Sequence, residues 1–292
     1  MYRKPRIGFV TISDNREKPH RELMGVNRQF EDYVVAAIRE KGDFELVTAD
    51  VIVHTAREAV AAAEKLNAAG IDGLIMNFTI WVYPNLAVIL ARNVDRPILM
   101  LSNLHPEHAG LVGMMASAGS LDQLGRRNYR VWGDVKEPEV YGRILSFARA
   151  ACVTNRLRGC VYGMFGGRSM GMYTGVAEQA VWMQKFGVDC EHIDEMEILR
   201  NAELVDRDRI ERAFDYLTEN IGEIRYDGAG LTPEKLRFQI ACYLATKDMC
   251  REKEIDFMGV KCQPEMGNYF VTQCLTQAFM NDPYDMEGEK EI

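Results

Sequence analysis

The feature that most constrains this chain is a recurrence of short apolar runs rich in β-branched residues, at 7–12, 44–53, 73–78 and 97–101, separated by segments of helical periodicity. Strands alternating with helices form βαβ units, and their crossovers make the sheet parallel. The intervening segments carry their own signals. Phe30, Val34 and Ile38 share one helical face. Thr55 with Glu58 spells a capping box ahead of Val60, Ala63 and Leu66, and Gly70 is placed to close that helix. A further helix is predicted from Pro138, burying Val140, Ile144, Phe147 and Ala151.

The polar stretch 154–158 reads as a boundary, after which a second series begins. Strands are predicted at 159–165, 188–193 and 255–260, with helices at about 174–186, 207–220, 233–251 and 268–280. Thr232-Pro233 supplies an N-cap and a first-turn proline for the 233–251 helix. Residues from Asp282 to Ile292 read as merely polar. The expected fold class is α/β, with two doubly wound domains on parallel sheets at 1–155 and 156–292. A chain of 292 residues, 47% apolar, is long enough to fill both cores.

Charge and cysteine usage narrow the function. With 35 basic against 43 acidic residues the chain carries a net charge of −8, which repels phosphate backbones, and no basic stripe interleaved with aromatics offsets it. Nucleic acid is not an expected partner. No apolar stretch reaches the roughly 20 residues needed to span a bilayer, so no membrane association is expected. The seven cysteines are scattered and form no C-x-x-C pair, which argues against both a disulfide framework and a thiolate zinc site. A cytoplasmic protein is expected.

Open parallel sheets bind ligands at the carboxyl ends of their strands. One such end carries Gly163-Met-Phe-Gly-Gly-Arg-Ser-Met-Gly-Met-Tyr173, where glycines bring main-chain N–H groups close to a ligand and Arg168 and Ser169 add donors. It is neither a Walker loop nor a dinucleotide fingerprint. A plain glycine-rich turn accounts for it equally well. Another end carries Val260-Lys-Cys-Gln-Pro-Glu-Met266, where Lys261, Gln263 and Glu265 suit a polar small-molecule pocket. The bland alternative is a solvated strand exit.

In the first domain the strand ends carry Ser13-Asp-Asn-Arg-Glu17, Asn77-Phe-Thr-Ile-Trp-Val-Tyr83 and Ser102-Asn-Leu-His-Pro-Glu-His108. Trp81 offers a ring face to the C–H surface of a sugar, or it simply packs beneath its loop. His105-x-x-His108 is a poor metal signature, because Pro106 argues against a helix and no third ligand is apparent. His54 and His192 read as structural, and His20 as part of a charged loop. Cys262 has no obvious histidine partner and is not read as a nucleophile.

Taken together, the Arg16 loop, Trp81, Gly166-Gly-Arg-Ser-Met-Gly171, Lys261-Cys-Gln-Pro-Glu265 and Asn281-Asp-Pro-Tyr-Asp285 resemble the L-fucose isomerase family, which is related to L-arabinose isomerases. Gly119-Ser-Leu-Asp-Gln-Leu-Gly125 and Tyr129-Arg-Val-Trp-Gly-Asp134 are consistent with it. The resemblance implies a flavodoxin-like first domain, a second α/β domain, and aldose–ketose isomerisation through an enediol on a divalent metal, usually Mn2+. It further implies a homo-oligomer in which the first domain covers a neighbour's active site, with Arg16 and Trp81 lining that pocket, Ser169 and Met170 near it, and Gln263 and Glu265 facing the sugar.

The sequence also departs from the family. In the family, the segment resembling Asp282–Gly288 leads into the first metal-binding glutamate, followed later by an aspartate and a histidine. The expectation is therefore a chain, either a fragment or half of a split enzyme completed by a separate C-terminal polypeptide, that lacks the family's C-terminal catalytic domain and has no catalytic residue and no Mn2+ ligand of its own. The alternatives are a non-catalytic carbohydrate-binding or regulatory protein, and an enzyme using the 163–173 loop for a phosphorylated ligand.

Overall fold

Strand β1 (Arg6–Ile12) is buried along nearly its whole length, because the residues on both of its faces are covered. A computed structural model describes residues 3–290, and the chain divides into two compact units, Met1–Arg156 and Leu157–Ile292. After β1 the first unit continues through α1 (Glu17–Glu22), α2 (Met24–Lys41), β2 (Glu45–Val53), α3 (Ala56–Ala68), β3 (Gly73–Phe78), α4 (Pro84–Asn93), β4 (Ile98–Ser102), α5 (Gly110–Gln123), β5 (Tyr129–Trp132) and α6 (Pro138–Leu157).

Its five strands are parallel and lie in the order β2-β1-β3-β4-β5, the flavodoxin-like arrangement. Alternating side chains divide the core between the sheet's faces. Ile7 and Phe9 join Val34 and Ile38 of α2 and Ile144, Phe147 and Ala151 of α6. Val10 and Ile12 join residues of α3, α4 and α5. The predicted capping box is present, with Glu58 N–H donating to Thr55 Oγ1 at 3.2 Å and the Thr55 N–H donating back to Glu58. The strand order reverses between β1 and β3, so the loops after these strands open a crevice.

The second unit contains β6 (Val161–Phe165), α7 (Gln179–Phe186), β7 (Asp189–Ile193), α8 (Glu195–Ala202), α9 (Arg207–Asn220), α10 (Pro233–Glu252), β8 (Phe257–Val260), α11 (Glu265–Tyr269), α12 (Cys274–Asn281), β9 (Tyr284–Asp285) and β10 (Gly288–Glu289). The strands β7-β6-β8 form a parallel sheet, and β9 and β10 pair as an antiparallel hairpin. Thr232 caps α10 as predicted, accepting from Lys235 N–H.

Four sequence expectations change here. The helix expected from about 174 begins only at Gln179, because Met170 and Gly171 are left-handed (φ 45° and 74°) and residues 169–175 form two single turns. The helix expected over 268–280 breaks between α11 and α12, where buried Val271 and its neighbour Thr272 are β-branched. Helix α8, capped by Asp194, was not anticipated. The terminal stretch is more than polar: Asp285 and Lys290 are buried. The Lys247 ammonium lies 2.5 Å from the Asp285 carboxylate, with neither side chain exposed, and Tyr243 donates to the same carboxylate.

Candidate sugar-facing edges

In the first unit Asp14 lies two residues beyond the end of β1 and is buried, and it holds the Arg16 side chain out toward solvent. Arg16 Nη2 donates to Asp14 Oδ2 at 2.7 Å and Nε to Oδ1 at 3.1 Å, with the Arg16 main-chain N–H adding a third bond at 2.9 Å. These bonds from Arg16 keep the Asp14 carboxyl below its usual range despite burial, and the same pairing raises the guanidinium. Arg16 therefore stays charged with donors to spare. Its guanidinium lies 5.9 Å from the ring centre of Tyr83, so the loop after β1 reaches the loop after β3 that carries half-buried Trp81.

Beneath these loops runs a buried polar network. Ser13 Oγ lies 3.0 Å from His20 Nδ1 and accepts from Asn27 Nδ2 at 2.9 Å, while Thr79 donates to Asn27 and Asn77 to Thr11. His20 is therefore no loop residue: it lies in α1, buried and stacked at 3.7 Å on His54. Burial, and then the adjacent His54, lower its pKa. His192 also departs from the reading of its sequence, since its side chain on β7 is exposed.

In the second unit the two segments singled out from sequence come together. Ser169 Oγ donates to the main-chain oxygen of Gln263 at 2.9 Å, joining the glycine loop after β6 to the segment after β8. Ser169, Met170, Lys261 and Gln263 line a cavity of about 330 Å3. Met170 is 65% exposed, and Glu265 opens α11 with its carboxylate 2.8 Å from Lys261 Nζ. That bond from Lys261 lowers the Glu265 pKa and raises that of Lys261.

Sequence reasoning missed Glu195. Its Oε1 is buried without a hydrogen-bond partner, and burial raises its pKa against the pull of Lys261. A Cβ added at Gly166 would lie 2.7 Å from that oxygen and 2.9 Å from Lys261 Cβ, and Gly166 has φ +83°, so glycine is required there. The available signal was position: Glu195 follows the end of β7, the same edge as the other two segments.

Manganese is a hard ion that prefers oxygen donors in octahedral geometry. Among the described residues, one group of three His, Cys, Asp or Glu side chains has ligand atoms close enough to share an ion: His105, Glu107 and His108 on the turn after β4. Two imidazoles and one carboxylate do not fit that preference. No helix among the described residues is long and apolar enough to cross a membrane.

Doubly wound parallel sheets with polar side chains gathered at their carboxyl edges are the arrangement on which α/β proteins bind small molecules. Residues 4–159 match the family described as "L-fucose isomerase, first N-terminal domain", and the chain belongs to the L-fucose isomerase family. It is 24% identical over 327 residues to L-fucose isomerase of Streptococcus pneumoniae (strain P1031), a match covering 99% of this chain and 55% of that protein. It is 26% identical over 219 residues to the enzyme of Phocaeicola vulgatus, covering 70% of this chain and 36% of the relative. With the enzyme of Haemophilus influenzae (strain PittEE) it shares 26% over 185 residues, covering 60% and 31%. The chain thus spans between about a third and about half the length of these curated relatives.

Proposed function

We propose that this chain acts in carbohydrate metabolism as part of an L-fucose or L-arabinose type aldose–ketose isomerase, supplying the surfaces that cover and orient the sugar. The observation that carries the reading is the Ser169–Gln263 bond, which gathers two segments resembling the family's sugar-facing motifs at one sheet edge. Ser169, Gln263 and Glu265 offer hydrogen bonds to hydroxyls, and exposed Met170 offers an apolar wall. In the first unit Arg16 and Trp81 face a sugar held by a neighbouring copy in a homo-oligomer. Arg16 supplies oriented donors and Trp81 a ring face for C–H groups.

A divalent metal, Mn2+ in the family, would supply Lewis-acid polarisation of the substrate oxygens in such an isomerisation. The described residues present no carboxylate-rich cluster for it, so the metal-dependent step is assigned to residues outside this set. The test is a ketose assay with Mn2+ and L-fucose or L-arabinose. The chain alone is expected to give no ketose, and addition of a polypeptide carrying the family's C-terminal domain is expected to restore it. Ketose formation by the chain alone would refute this division of labour.

A further inference from the structure

We infer that the turn after β4 binds one borderline divalent metal ion of the zinc, cobalt and nickel class through His105, Glu107 and His108. The backbone brings three ligands to one side. Asn103 Oδ1 accepts from His105 N–H at 3.0 Å, its Nδ2 donates to Thr79 O at 3.2 Å, and His108 N–H closes the turn onto His105 O at 3.3 Å. The turn is thereby tied to the ends of β3 and β4. Pro106, which argued against a helical His pair, lies within the tight turn that places Glu107 beside both rings.

One ligand atom from each of the three side chains lies within 4.8 Å of the others. In a closed site with metal–nitrogen distances of about 2.0 Å these atoms stand about 3.3 Å apart, so closure takes small side-chain rotations. The rings are stacked, with centroids 4.8 Å apart and planes 24° apart, and a metal lies in the plane of each imidazole it binds. Both rings must therefore turn. His105 and Glu107 are exposed and His108 is half-buried, so little opposes this. The Glu107 N–H points at His105 Nδ1 at 3.2 Å, a weak bond that a metal on either ring nitrogen displaces. Phe30 packs in T-shaped contact with both rings, 5.7 and 6.2 Å between centroids.

Two imidazoles and one carboxylate are the donor set of open zinc sites, which keep a coordination position for water or a ligand. His105 also lines a cavity of about 740 Å3 at the carboxyl edge of the first sheet, with Phe30, Asn77, Asn103, Trp132 and Asp134 among its walls. The ion stands at the rim of that cavity, where its open position can take an anionic or hydroxylated small molecule. This site is separate from the Mn2+ chemistry of the family and does not depend on it.

The test is equilibrium dialysis of the chain against Zn2+, with visible absorption of the Co2+ form as a second readout. One equivalent of Zn2+ is expected, with Co2+ bands free of thiolate charge transfer. The His105→Ala/His108→Ala variant is expected to lose that equivalent with an unchanged circular dichroism spectrum, and Glu107→Gln to weaken it. Absence of Zn2+ binding by the wild-type chain, persistence in the double variant, or a thiolate band would each overturn the assignment.

Discussion

Ser169 Oγ donates to the main-chain oxygen of Gln263 across 94 residues of sequence, and this bond couples the glycine loop to the segment that carries Lys261 and Glu265. Replacing Ser169 with alanine leaves the Gln263 carbonyl without this donor, at a cost of about 1 kcal/mol. The expected thermal shift is downward by about 2–4 °C for a domain of this size. Sugar affinity should fall with it, and calorimetry of wild type and variant checks both.

Gly166→Ala should cost more. The added Cβ meets the unpartnered Glu195 oxygen and the Lys261 side chain on a backbone of positive φ, so strain and overpacking add to about 2–3 kcal/mol. Denaturant midpoints measure it. A midpoint equal to wild type would contradict both the backbone strain and the overpacking.

The strand ends and several helix starts were legible because each rests on local chemistry: the Thr55 capping box, the proline after Thr232, the apolar face of α6. The segments at 163–173 and 260–266 were legible as candidates because position after a strand is a local property. Asp14 was visible only as part of a loop, since its value lies in three bonds to Arg16 that sequence does not display. The terminal hairpin failed for the same reason. Lys247, Tyr243 and Asp285 look like surface residues until folding places them together in the core.

That cluster makes a stability prediction. Lys247→Met leaves the Asp285 carboxylate buried opposite a methionine, and breaking a buried pair costs about 3–5 kcal/mol. The double replacement Lys247→Met/Asp285→Asn should recover part of the loss. Urea unfolding of the two variants separates a paired charge from simple packing.

The two units should respond to acid in different windows. Bonds from Arg209, and then those from Lys247, hold Glu287 at about 2 against the opposing effect of burial. A carboxylate depressed in this way stabilises the fold above its ordinary value near 4.5, and that contribution is lost as pH falls toward 2. His20 is a base whose folded pKa is lowered by burial and His54, against the opposing pull of Glu58, Glu17 and Asp14. The unfolded chain takes up this proton first, so its contribution is present above about 6.5 and is lost as pH falls below that. Stability of the chain followed from neutral pH downward should decline first through His20, and His20→Gln should flatten that first decline while leaving the Glu287 window in place.

Asp14→Asn tests how Arg16 is presented. It removes the negative charge facing the guanidinium and should leave the sheet intact while freeing the arginine, so sugar affinity falls with little change in melting temperature.

The central claim is that each unit carries its own sugar-facing edge, and titration of the chain with L-fucose, L-arabinose and their alditols, observed by saturation-transfer NMR, tests it most directly. The account predicts transfer to the sugar that is reduced in Trp81→Ala and in Glu265→Gln, with folding unchanged. Absence of transfer from the wild-type chain, or equal transfer in both variants, would contradict it.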